Sequence, residues 1–180
     1  MVALGNLSRQ HGKGIERKRA SELVSFFEQI GQLHLIESIV FLCVGTDCST
    51  GDALGPLVGS RLEQIGFDVV GTLNEPCDGH NYEKKIKSIP LDKIIITIDA
   101  CLGRPESVGS YLTSVGPLQP AQATGGSLTP YGHYSVAAVV NANGPRPYTI
   151  LQMTPLSKVL QMTEQIVEAV NKCFKSDKSA

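Results

Sequence analysis

Two short, almost uninterrupted apolar runs constrain the fold of this chain more than any other feature of its sequence. Residues 39–44 read IVFLCV, and residues 93–98 read KIIITI. A strand that is apolar at successive positions has to be buried on both faces, as in the middle of a parallel sheet covered by helices. Segments of helical periodicity lie between such runs. The sequence therefore predicts an α/β sandwich with a mostly parallel central sheet.

The remaining elements follow from periodicity and from the positions of glycine and proline. Further strands are predicted at residues 67–71, 107–115 and 148–153, and helices at residues 15–35, 53–66, 82–89, 133–140 and from Pro155 onwards. We expect one domain over residues 15–174, preceded by a polar, mobile tail at residues 1–14. Residues 116–131 are rich in Pro, Gly, Ser and Thr, and ordered loops of this length are often functional.

Composition and charge narrow the classes of function. The 180 residues carry 16 basic and 17 acidic side chains, a net charge of −1, which argues against a protein that binds nucleic acid through a basic surface. Five cysteines without a CxxC pair indicate reduced thiols. No apolar run approaches the roughly 20 residues that span a bilayer, and no apolar signal segment follows the charged N-terminus. We expect a cytoplasmic protein without nucleic-acid or membrane partners, and a homodimer stays open.

Two aspartates follow the apolar runs at the edge where parallel sheets carry their sites. The loop GTDCSTGD ends at Asp52, where a helix is expected to begin, and Asp99 comes directly after the second run. Ligands bind beyond the carboxyl ends of parallel strands, so the two carboxylates are expected to share a cleft. Such a pair, in which one pKa is raised, can activate water or hold a metal. The alternatives are an N-cap role for Asp52 and a loop-bracing role for Asp99.

Histidine and cysteine side chains offer further candidates. His133 is expected to open a helix, either as a third metal ligand or proton shuttle beside the aspartates, or as a capping or packing residue. Cys48 or Cys101 could act as a nucleophile with His133, although a small, inert thiol is the commoner role. The loop before Asp52 has neither GxGxxG nor GK[ST] spacing, which argues against a nucleotide phosphate site.

The motif GTDCSTGDALGP at residues 45–56 resembles the signatures of two peptidase families. It is similar to GxGN…TPDALGP of the germination protease of bacterial endospores and to GxGN…DEGxG of hydrogenase maturation endopeptidases. The segment ITIDA at residues 96–100 resembles the strand-end Asp-Ala of both families. Over about residues 38–172 the chain resembles the small sporulation protein family known as YyaC. These resemblances imply a three-layer, phosphorylase/hydrolase-like sandwich, as in the hydrogenase maturation proteases.

The resemblance also implies roles for individual residues. Asp52 and Asp99 fall on acids implicated in catalysis in the germination protease. In the hydrogenase maturation enzymes the matching acids, with a histidine that opens a later helix, bind the nickel of the substrate, and GHYSV places His133 at a similar position. A divalent metal, zinc or nickel, is therefore the one cofactor to consider. The chain departs from GxGN at Thr46 and lacks the asparagine amide.

Three hypotheses about function follow. In the first, the protein is a sporulation-associated endopeptidase of the forespore or sporulating cell, in which Asp52 and Asp99 activate a water, alone or with a metal that His133 also binds. Its partner is then a protein or peptide substrate. In the second, it is an inactive relative with a binding or regulatory role, which the missing asparagine favours. In the third, it is a thiol hydrolase that uses Cys48 or Cys101.

Overall fold

The apolar runs form neighbouring strands at the centre of a six-stranded sheet. The computed structural model describes residues 14–117 and 128–175, so the predicted tail and most of the 116–131 segment lie outside it. The strands are β1 (Glu16–Lys18), β2 (Ile39–Cys43), β3 (Val69–Val70), β4 (Ile94–Gly103), β5 (Tyr111–Val115) and β6 (Tyr134–Ala142). Their order is β1-β5-β6-β4-β2-β3, in which β3, β2, β4 and β6 are parallel and β5 pairs antiparallel with both β6 and β1. The predicted α/β fold with a mostly parallel sheet is confirmed.

Helices cover the two faces of the sheet unequally. They are α1 (Ala20–Gly31), α2 (Leu54–Gln64), α3 (Tyr82–Ser88), α4 (Pro147–Gln152) and α5 (Leu156–Lys175). The first, second and fifth pack on one face, around a core that includes Phe27, Phe41 and Ile166. The other face carries a smaller core beneath α3, which Leu128 and Tyr131 help to cover. None of the helices in the described part of the chain is long and apolar enough to cross a membrane.

The side chains of β4 alternate between these two cores. Ile96 and Ile98 belong to the larger core, whereas Ile95 belongs to the smaller one. Because successive side chains of a strand point to opposite faces, Thr97 and Asp99 share the α3 face with Ile95. Asp99 therefore approaches the carboxyl edge of the sheet from its thinly covered side.

Two elements differ in type from the sequence-based prediction. The predicted helix at residues 133–140 is wrong, because these residues form β6, where YSVAAVV is buried between β4 and β5. The predicted strand at residues 148–153 is wrong as well, because Pro147 opens the helix α4. A third difference concerns the start of α1, since residues 16–18 pair with β5 and the helix begins only at Ala20.

Candidate active site

The loop between β2 and α2 is attached by its backbone to two distant parts of the chain. The N–H of Gly45 donates to the carbonyl of Cys77 over 2.9 Å, just before α3. The N–H of Gly51 donates to the carbonyl of Leu151 in α4, also over 2.9 Å. The loop that ends at Asp52 is therefore fixed at both ends by residues far away in the sequence.

Glycines bring this loop and α2 into contact with the end of β2. Gly45 has a φ of +146°, and a Cβ at this position would lie 2.0 Å from the carbonyl oxygen of Asp52. A Cβ on Gly55 would lie 1.9 Å from the carbonyl oxygen of Val44. Both distances are far below any real contact, so only glycine fits at these two positions. Part of the DALGP motif thus serves close packing, and this packing places Asp52 beside the strand end.

Asp52 is a buried acid that does not cap the helix. Ala53 is the N-cap residue of α2, and no side chain makes a capping hydrogen bond there. The side chains of Asp52 and Ser49 are 7% and 2% exposed, and within the described residues neither Asp52 Oδ2 nor Ser49 Oγ has a partner in hydrogen-bonding geometry. Burial raises the pKa of Asp52, and the nearby Ser49 hydroxyl only opposes that rise. Burial, and not a second carboxylate, is thus the main cause of the raised pKa of Asp52.

Asp99 is the second buried acid, and it lies where β2 ends. The N–H of Val44 donates to the carbonyl of Ile98 over 2.8 Å, so the residue after Ile98 is level with the start of the loop. One carboxylate oxygen, Oδ1, accepts the N–H of Ala100 over 2.8 Å. Asp99 and Asp52 thus border the same strand end, and Asp99 stands within β4 rather than after it.

Three side chains near Asp99 are Cys77, Cys101 and Tyr82. The sequence did not indicate any of them as a partner of Asp99. Burial raises the pKa of the Cys77 thiol to about 11 and that of Cys101 to about 12, and the charge of Asp99 adds to both increases. Burial also raises the pKa of Tyr82, whose hydroxyl donates to the carbonyl of Thr129 over 3.0 Å. A thiol that keeps its proton far above neutral pH is a poor nucleophile, and this argues against the nucleophilic role predicted for Cys101.

His133 lies at the opposite edge of the sheet. Its N–H donates to the carbonyl of Ile95 over 2.8 Å, and its Nδ1 accepts the N–H of Ile95 over 3.0 Å. Asp99 pairs with Ala137, four residues after His133. At about 3.3 Å per residue the two levels are about 13 Å apart. His133 is therefore not placed to complete a metal site with Asp52 and Asp99, because it precedes a strand instead of opening a helix at the carboxyl edge.

The remaining metal and thiol predictions depend on this placement. In the part of the chain that the structure describes, no group of three His, Cys, Asp or Glu side chains could hold a metal ion. The exposed Cys48 has its Sγ 3.9 Å from Asp47 Oδ1, at the edge opposite His133. A nucleophilic thiol needs a base within hydrogen-bond reach. The geometry therefore leaves both candidate thiols without the histidine that the third hypothesis requires.

An apolar groove opens at the carboxyl edge of the sheet, the edge at which Asp52 and Asp99 lie. It is formed by the end of β6 and by α4. Its volume is about 490 Å³, and Ala142, Arg146, Ile150 and Met153 are among the residues that line it. The helix α4 also contains Leu151, whose carbonyl accepts the hydrogen bond from Gly51. One short helix therefore forms a wall of the groove and contacts the Asp52 loop.

The buried state of Asp52 predicts how stability depends on pH. Because its pKa is raised in the folded protein, the native state binds the proton more tightly than the unfolded chain, whose value is 3.8. The stabilising effect is complete below that value and is lost as the pH rises through the folded-state pKa, by about 1.4 kcal/mol for each pKa unit. Asp52→Asn removes this dependence, so the variant should gain stability relative to wild type as the pH rises.

Urea unfolding from about pH 3.5 to about pH 8 measures this difference. Asp92→Asn, a change at an exposed position, is the matched control and should run parallel to wild type. A wild-type protein that gains stability relative to Asp52→Asn over this range would contradict the effect of burial.

Comparisons of sequence with known proteins find a matching family and a related protein. Residues 13–169 match the family described as a protein of unknown function, DUF1256. The Uncharacterized protein YyaC of Bacillus subtilis (strain 168) is 42% identical over 139 residues, which cover 74% of this chain and 68% of that protein.

Two solved structures are similar at low sequence identity. The [NiFe] hydrogenase maturation protease HycI from Thermococcus kodakarensis KOD1 has a TM-score of 0.50 and 20% identity, over 76% of this chain and 92% of that one. The maturation protease HybD from Thermococcus kodakarensis has a TM-score of 0.48 and 14% identity, over 74% and 97%. At such identities the similarity to HycI concerns the fold alone, which is the one implied by the motifs. The family match over most of the chain and the relative at 42% identity show that this protein belongs to the DUF1256 family.

Proposed function

We propose that the protein is an endopeptidase in which Asp52 and Asp99 together hydrolyse a peptide bond. The observation that carries the proposal is the pair of buried acids at the end of β2, one of which has a raised pKa and an unpartnered carboxylate oxygen. A helix cap or an ion pair would explain a buried aspartate, but α2 has no side-chain cap. A strand end of a parallel sheet is also where such folds bind ligands.

The environments of the two acids suggest a division of roles. Burial favours the protonated form of Asp52, so this residue donates a proton to the carbonyl oxygen of the scissile bond. Asp99, as the carboxylate, takes a proton from a water, and the resulting hydroxide forms a bond to the carbonyl carbon. The proton on Asp99 then passes to the amide nitrogen as the C–N bond breaks. Asp52 recovers its proton when the carbonyl of the new carboxyl group re-forms.

The donor set does not fit a resident zinc or nickel ion. Catalytic zinc takes three protein ligands, and among the described residues no group of three His, Cys, Asp or Glu side chains could hold such an ion. The mechanism above therefore relies on the aspartate pair, and His133 has no part in it.

A proteolysis assay tests the proposal. The resemblance to a sporulation family makes the proteins of spores and of sporulating cells the first substrates to try. We expect wild-type protein to release new peptide termini, detected by mass spectrometry, and the double variant Asp52→Asn/Asp99→Asn to release none. If wild type and the double variant give the same peptides, the endopeptidase proposal is rejected. The inactive relative with a regulatory role is then favoured.

A further inference from the structure

We propose that the groove beside α4 is a specificity subsite that takes an apolar side chain of an extended polypeptide, with Arg146 pairing with a neighbouring carboxylate side chain. This inference rests on the proposed endopeptidase function and names its class of substrate. The groove belongs to the same sheet edge as the two acids, but neither acid lines it.

The chemistry of the groove fits a single apolar side chain. Its volume of about 490 Å³ falls in the range of pockets that hold small ligands, so it has room for an apolar side chain and part of its neighbour. Ala142 leaves space on one wall, and Ile150 and Met153 provide an apolar lining. The Met153 side chain is 77% exposed, so a ligand would bury apolar surface that is now in water. Methionine also adapts its shape to different apolar partners.

The charge of the groove specifies the neighbour of that side chain. Arg146 lines the groove and is exposed, and none of the ion pairs among the described residues involves it. Arginine binds carboxylates through a planar fork of donors. A peptide with an acidic residue next to an apolar residue would therefore complement the groove in two ways. Its apolar side chain would contact the apolar lining, and its carboxylate would pair with Arg146.

The position of the groove matches the reach of a bound peptide. Ala142 pairs with Gly103 on β4, which is four residues beyond Asp99. This separation is about 13 Å, the length of about four extended residues. A peptide whose scissile bond lies at the aspartates would thus place a side chain about four residues away into the groove. Because Gly51 donates to Leu151, which follows Ile150, a peptide held there also contacts the helix that fixes the Asp52 loop.

The test measures binding apart from cleavage. Full-length protein with labelled methyl groups is titrated with an acetylated, amidated Gly-Leu-Glu-Gly peptide and with matched peptides that carry Ser for Leu or Gln for Glu. We expect the methyl signals of Ile150 and Met153 to shift most. Met153→Ser should weaken binding of the Leu-Glu peptide about fivefold, from the loss of buried apolar surface. Arg146→Glu should weaken it by about fivefold and leave binding of the Gln peptide unchanged.

Two matched variants control for surface changes elsewhere. Leu91→Ser removes a side chain that is 97% exposed, and Lys84→Glu reverses an exposed charge on α3. Both should bind like wild type. Equal binding of all three peptides, or equal effects of the control and groove variants, would overturn the subsite.

Asp99→Asn separates the two proposals, because it should keep peptide binding even though it loses cleavage. Selective peptide binding by a protein that cleaves nothing in the proteolysis assay above would leave the subsite standing and reject the proposed chemistry.

Discussion

The Asp99→Asn variant is expected to lose about three orders of magnitude in kcat, with the peptide affinity and the melting temperature close to wild type. Asparagine has the same shape but cannot take a proton from water, and general-base catalysis contributes about 10²–10⁴-fold. The Ala100 N–H that now donates to Asp99 Oδ1 can donate equally to the amide oxygen of asparagine, so the fold should persist.

The Asp52→Asn variant should lose less, by about two orders of magnitude. Its amide N–H can still polarise the scissile carbonyl, although it cannot transfer a proton. The activity of wild type should fall as the pH rises and Asp52 gives up its proton, and this alkaline decline should be absent from Asp52→Asn. The double variant should be no worse than Asp99→Asn alone, because groups that act as one unit are not additive.

Steady-state rates against pH for the three variants measure these expectations. An alkaline decline with the same midpoint in wild type and in Asp52→Asn would show that another group carries the proton. If the loss of kcat in the double variant equals the product of the losses in the two single variants, the acids act independently.

Gly55→Ala is expected to destabilise the protein by about 3 kcal/mol or more, or to prevent folding. The added Cβ would lie 1.9 Å from the carbonyl oxygen of Val44, and a methyl group cannot rotate away from a backbone atom. Alanine favours a helix over glycine by only about 1 kcal/mol, so the clash dominates. Relief requires α2 to move off β2 and to carry Asp52 away from the strand end.

Gly79→Ala is the control, because a Cβ at this exposed position has nothing within 4 Å. Chemical denaturation of both variants gives the comparison. Equal stability of Gly55→Ala and Gly79→Ala would contradict the close packing of α2 on β2.

The central strands, and the positions of the two acids relative to them, could be predicted from local sequence patterns. Contacts between residues far apart in the sequence could not. Residues 39–44 are apolar at successive positions, which favours a central strand, and Asp99 follows a similar run. Residues 134–140 are also apolar, but a short run of this kind fits a buried helix as well as a strand. Its place between β4 and β5 decides the matter, and that place depends on pairing with partners far away in the chain.

The surroundings of the acids were unpredictable for the same reason. Tyr82 contacts Thr129, and Gly45 contacts Cys77, through hydrogen bonds with no motif spacing. The sequence predicted that one of two carboxylates sharing a cleft would have a raised pKa, without saying which. Burial raises the pKa of Asp52, and the Ser49 hydroxyl opposes that rise. Burial of this kind depends on the packing of α2, which the glycines permit but a reader of the sequence cannot measure.

The hydrogen bond from Gly51 to Leu151 has a consequence for biosynthesis. Asp52 is translated within the first third of the chain, but the loop that holds it acquires its second anchor only when α4 has been made. β6, the neighbour of β4 in the finished sheet, is likewise completed only at Ala142. A nascent chain therefore carries both aspartates without these contacts until β6 and α4 have been made. The order of translation thus delays the assembly of the candidate site until most of the protein is present to fold around it.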